Sequence, residues 1–163
     1  MNFRTRLMHI EEILLAVLLL IMSIVTFTQV ITRYVFFYSL PWSEELTRYL
    51  MIWLTFLGGA LAIEKGSHIG VDLLVTIIGE GRRVMQSLLS LSVDAVGLAF
   101  SAYFAFSAYS LVARTVMFGQ VTPAMRLPMA CANASLLVGG VLMCVHFAGR
   151  CWDQLRVLVG GEQ

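Results

Sequence analysis

Charge is what this sequence has least of. Only 13% of its 163 residues are charged while 59% are hydrophobic, against about 25% charged in soluble domains. That shortage excludes a chain solvated by water along most of its length. Eleven Lys and Arg stand against ten Asp and Glu, so there is no basic patch of the kind nucleic acid requires, and nucleic acid is excluded as a partner. Cys131, Cys144 and Cys151 are odd in number, lack CxxC spacing and fall in or beside the last apolar segment. They suggest neither a disulfide framework nor a zinc site. Room is scarce too. A membrane-spanning helix takes about 20 mostly apolar residues, so four of them with their connections leave no mass for a separate catalytic domain, and neither enzymatic activity nor a cofactor is expected.

What the sequence does have is long apolar runs. The first, about residues 13–31, is unbroken by charge until Arg33. It is too long for the apolar part of a signal peptide, follows Glu11 and Glu12 and lacks a small-residue cleavage site, so it is expected to be retained. Aromatic residues gather from Tyr34 to Trp42, as where a chain leaves the bilayer, with Pro41 marking a turn. A second span, about 44–63, opens with Ser43 as the expected N-cap and Glu44 and Glu45 in the first turn, where carboxylates complement the helix dipole. Leu46 holds the position that would complete a capping box. A third run, about 84–112, reads as one helix long enough to tilt or protrude, reaching about 43 Å at 1.5 Å per residue. The fourth span, about 129–148, follows a connection containing Gly119, Pro123 and Pro128. Its Ala132, Ala134, Gly139 and Gly140 would let another helix approach closely.

Residues 64–83 are too charged to span. Ile69, Leu73, Leu74, Ile77 and Ile78 nevertheless recur at helical spacing, which predicts a short amphipathic helix lying at the interface. The expected fold is an all-α integral membrane protein, one membrane domain over residues 1–163 with four transmembrane helices and this interfacial helix. Arg4, Arg6, Lys65, Arg82, Arg83, Arg150 and Arg156 would share the side of the termini, against Arg33, Arg48, Arg114 and Arg126 opposite. The excess places both termini in the cytoplasm.

Intramembrane charge is the first place to seek chemistry. Asp94 is the candidate, yet Ala95 to Val112 alone could span, so Asp94 could lie at the headgroups in a structural role or serve transport. His9, His68 and His146 fall outside the spans or at a span's end, which argues against a haem held between facing helices. The densest polar cluster runs from Pro41 to Tyr49. Glu44 and Arg48 are four apart in the favourable order for an ion pair on one helix face. With Trp42, Glu45, Trp53, Gly58 and Gly59 they suggest a surface shaped for a protein neighbour, and a second cluster, Glu64 to Asp72, caps the other end of the same helix.

At these two clusters the sequence resembles the small membrane subunit, DctQ-like, of tripartite ATP-independent periplasmic (TRAP) transporters. Trp42-Ser43-Glu44-Glu45-Leu46-Thr47-Arg48-Tyr49, Trp53-Leu54-Thr55-Phe56-Leu57-Gly58-Gly59 and Lys65-Gly66-Ser67-His68-Ile69-Gly70-Val71-Asp72 carry the resemblance in order, over about a fifth of the chain. It implies a multi-pass protein of the bacterial inner membrane with cytoplasmic termini, paired with a large membrane subunit that houses substrate and sodium sites. A periplasmic binding protein would deliver an organic acid, such as a C4-dicarboxylate, to that pair. The resemblance puts Trp42, Glu44, Glu45 and Arg48 on the periplasmic side and His68 and Asp72 on the cytoplasmic side, with no substrate site in this chain. Two other readings stay open at this level: an autonomous homo-oligomeric exporter or channel coupled through Asp94, and the membrane anchor of a redox enzyme.

Overall fold

A computed structural model describes residues 3–65 and 83–159, with side chains for 6–65 and 90–156. Among them the chain is all helix but for its connections: α1 (Phe3–Tyr34), α2 (Pro41–Glu64), α3 (Arg83–Met117) and α4 (Ala130–Val159). All four are long and apolar enough to cross a bilayer. The expected interfacial helix over 64–83, with His68 and Asp72, lies outside the described residues apart from its ends.

The helices overrun the apolar runs that announce them. α1 begins well before residue 13 and takes in Glu11 and Glu12, while α4 continues to Val159, past Arg150 and Arg156. Backbone hydrogen bonding does not stop where hydropathy does, and charges at these ends are accommodated by pairing. The third helix is continuous, as expected. Where α2 begins, the expectation fails: Pro41 is the first helical residue and Leu40 caps it without a side-chain bond. Proline suits that position because its missing N–H would have no intrahelical acceptor. Ser43 is therefore inside the helix, its hydroxyl donating back to the Leu40 carbonyl at 2.8 Å, and Glu44 alone is the acidic residue of the first turn.

Backbones pack in the order α1, α2, α4, α3. Small residues set the close contacts. A Cβ on Gly139 would lie 2.6 Å from Cβ of Phe56, and one on Gly140 would lie 3.2 Å from the Ala105 backbone, so α4 uses adjacent glycines to touch α2 and α3 at once. Phe56 then reaches across to stack on Phe104 of α3, ring centroids 5.5 Å apart. On α3 the buried residues among the described side chains are Asp94, Ser101, Ala108 and Thr115, one every seventh position, which makes a straight seam against α4. The outermost helix, α1, buries nothing in its apolar window. Its Leu, Ile and Val side chains face outward, as a helix solvated by lipid requires.

These contacts fix an expected asymmetry between glycines. Gly139→Ala should destabilise the purified chain by about 1–3 kcal/mol through overpacking. Gly58→Ala, whose Cβ would meet only Leu15 at 3.9 Å, should be neutral or stabilise by up to about 1 kcal/mol through helix propensity. Unfolding curves in one detergent would separate the two.

Candidate functional site: two polar clasps at the ends of the bundle

Antiparallel succession brings the start of α1, the end of α2, the start of α3 and the end of α4 to one end of the bundle. Three buried side chains from three helices meet there. His146 of α4 directs Nδ1 to Glu64 Oε2 of α2 at 3.0 Å and Nε2 to Glu11 of α1 at 3.1 and 3.2 Å. The side chains of His146, Glu11 and Glu64 are 1%, 4% and 8% exposed. A ring nitrogen that carries a proton donates to the carboxylate it faces, so the imidazole of α4 bridges α1 and α2.

One turn further along α4, Arg150 donates through Nε to Asp94 of α3 at 3.3 Å and through Nη1 to the Ile63 carbonyl of α2 at 2.8 Å. Gln154 Nε2 adds a bond to Asp94 at 2.8 Å. Nearer the surface Lys65 pairs with Glu12 at 2.7 Å, closing α2 onto α1 again. Every described helix is thus tied by a polar bond at this end. Asp94, which the sequence left without a partner, has both a cation and an amide. His146 has both ring nitrogens occupied by carboxylates, which leaves neither for a metal or a haem iron.

At the opposite end a single carboxylate does comparable work. Glu45 of α2, buried, accepts the backbone N–H groups of Ala124 and Met125 at 2.9 Å each and the Tyr49 hydroxyl at 2.7 Å. These two amides belong to the tight turn between α3 and α4, where Val121 and Pro128 form an antiparallel bridge and Arg126 is left-handed at φ 53°. Gly119, also left-handed at φ 57°, starts that turn by ending α3. Below it Asn133 Nδ2 donates to Thr115 Oγ1 at 3.0 Å, joining α4 to α3. Glu44 and Arg48 do pair, at 3.6 Å, but both stand about two-thirds exposed. With Glu45, Tyr49, Pro123 and Ala124 they border a groove of about 350 Å³. Trp42 is 43% exposed and Trp53 half-buried. Gly59 faces inward, where a Cβ would lie 2.9 Å from the Met143 methyl.

Residues 22–157 match the model of the family described as "Tripartite ATP-independent periplasmic transporters, DctQ component". The chain belongs to the DctQ family. Among curated relatives it is 45% identical over 64 residues to a putative TRAP transporter small permease protein of Haemophilus influenzae, covering 39% of this chain and 40% of that protein. It is 29% identical over 152 residues to the sialic acid TRAP transporter small permease protein SiaQ of Vibrio cholerae, covering 93% and 85%. It is also 28% identical over 153 residues to the isethionate TRAP transporter permease protein DctMQ of Oleidesulfovibrio alaskensis, covering 90% of this chain and 24% of that protein. The chain thus spans under half the length of the first and about a quarter of the third. As a DctQ member with four apolar helices it is a multi-pass membrane protein of the small-permease type.

Within this DctQ chain, Glu11 and His146 are the buried clasp residues that sequence reading underrated, Glu11 as a mere flank and His146 only as a haem ligand to be dismissed. His146→Leu should destabilise the fold by about 3–5 kcal/mol, because two buried carboxyl groups lose their shared partner. The triple replacement Glu11→Leu, Glu64→Leu, His146→Leu should recover most of that loss, as measured by chemical unfolding in detergent. For Glu45→Ala, amide exchange at Ala124 and Met125 should accelerate on the order of tenfold or more while the middle of α4 is unaffected.

Proposed function

We propose that this chain is the static scaffold of a TRAP-type importer of the bacterial inner membrane. In this reading it pairs with a large permease subunit that carries the substrate and sodium sites and takes an organic acid from a periplasmic binding protein. The observation that carries the reading is the use made of charge. At the terminal end of the bundle the buried ionisable groups Glu11, Glu64, Asp94 and His146 hold one helix to another. A carboxylate committed to Arg150 and Gln154 is poorly suited to load and release a coupling ion, which weighs against an autonomous exporter working through Asp94. A chain that spends its buried charges on holding its own helices together and exposes a largely apolar surface suits a fixed body beside a moving neighbour.

Membership of the family supports the pairing, and the isethionate relative, DctMQ, is one permease protein roughly four times the matched length. The substrates named for the relatives, sialic acid and isethionate, are both organic acids. The excess of Arg and Lys on the side of the termini supports a cytoplasmic location for both. The Glu45 clasp and the Glu44–Arg48 pair then face the periplasm, where a binding protein would dock, and Trp42 anchors that rim.

Proteoliposomes test the reading. With the large subunit and binding protein present, sodium-dependent uptake should require this chain, and the chain alone should transport nothing. Glu45→Ala should cut uptake several-fold. Uptake that persists undiminished without the chain would contradict the scaffold role, and transport by the chain alone would favour the exporter.

A further inference from the structure

The outer face of α3 does not have the composition of a surface that meets only lipid. Opposite its buried seam runs an outward face with the same helical repeat: Val96, Ala99, Tyr103, Ser107, Ser110 and Arg114. At 100° per residue the last four fall within an arc of about 60°. Tyr103 is 72% exposed and stands at the middle of the span Ser90–Met117. It is about 20 Å along the helix from either end, too far for its hydroxyl to reach the headgroups. Among the described residues none of the side chains of Tyr103, Ser107, Ser110 and Arg114 has a hydrogen-bond or ion-pair partner. The serines do not bond back to their own helix as Ser23 and Thr28 of α1 do. Tyr103, Phe106, Ser107, Ser110, Leu111 and Arg114 line a shallow groove of about 360 Å³.

An unmet phenol hydroxyl at mid-depth in hydrocarbon is strongly disfavoured relative to a bonded one. Small hydroxyl-bearing residues one turn apart are what lets a second backbone come close and accept hydrogen bonds. α1 supplies a partial contrast: of its outward hydroxyls, those of Ser23, Thr28 and Thr32 are bonded within the helix and that of Thr26 is not, and it carries no tyrosine at mid-span.

We propose that Tyr103, Ser107, Ser110 and Arg114 form the seam on which a transmembrane helix of the large permease subunit packs. That helix supplies an acceptor to Tyr103 at mid-depth and a carboxylate to Arg114 at the Met117 end. The proposal rests on the pairing proposed above and adds the face through which it occurs. Lipid alone offers no acceptor at that depth. A second copy of this chain would set Arg114 against an identical seam that holds no carboxylate.

Photo-cross-linking in the assembled complex tests it. Tyr103→p-benzoylphenylalanine, in chain co-expressed with the large subunit in native membranes, should cross-link to that subunit, while the same probe at Phe27 on α1 should not. In parallel, Ser107→Trp with Ser110→Trp should reduce recovery of the large subunit on the tagged chain at least tenfold. Leu20→Trp on α1 should leave recovery unchanged, and each variant alone should melt as the parent does. A cross-link from position 103 to a second copy, or to lipid only, would overturn the assignment, as would full recovery with both tryptophans. If the unaltered chain fails to recover the large subunit at all, the pairing itself fails, and that result is separate from any failure of the α3 face.

Discussion

The contact between one imidazole and two carboxyl groups is the constraint on which the rest of this structure depends. Four apolar helices in lipid have little reason to choose one arrangement, since hydrocarbon tails are as apolar as leucine. α1 illustrates the problem, because no residue of its apolar window is buried in the chain and van der Waals contact with α2 is nearly all that its middle offers. Glu11 on His146 ties it to α4, and Lys65 on Glu12 ties it to α2. The cost of leaving any of these groups unpaired at the edge of hydrocarbon makes the arrangement specific even where its net contribution to stability is small. Arg150 extends the same logic to α3 through Asp94.

The two ends of the bundle solve different problems. At the terminal end separate helices must be gathered, and the bonds are between side chains on different helices. At the other end α3 and α4 are already joined by a short turn, and that turn has to be seated on α2. One carboxylate accepting two successive backbone amides, from Ala124 and Met125, does so. Glu44, next to it in sequence, points outward with Arg48. Adjacent acids on one helix thus serve different purposes because consecutive residues lie 100° apart, one toward the turn and one toward water.

The four helices were legible in the sequence because lipid imposes a composition on anything that crosses it. Their ends were not, since a charged residue reads as the edge of a span until its partner is known. Glu11 and His146 are 135 positions apart, and no local pattern joins them. Up-and-down topology could have done so: the beginnings of the first and third helices and the ends of the second and fourth must share one side, which gathers Glu11, Glu64, Asp94, His146 and Arg150 before any coordinate is known. The start of α2 was misread because Ser43 resembles an N-cap, whereas Pro41 two residues earlier fits the first helical position better. Glu45 was legible as part of the polar cluster at the start of α2, but its backbone partners were not, because an amide in a turn carries no side-chain signature. The Gly139–Gly140 approach was legible from residue size alone.

A fixed body is what the account requires, and the separation of α1 from α4 measures it most directly. Spin labels at Ile13 and Leu155, both outward-facing on those helices, would report that separation in lipid bilayers by pulsed dipolar spectroscopy. A single narrow distance distribution, the same with and without the large subunit, is what the polar clasp predicts. A broad or multi-peaked distribution, or one that shifts as the transporter turns over, would contradict it.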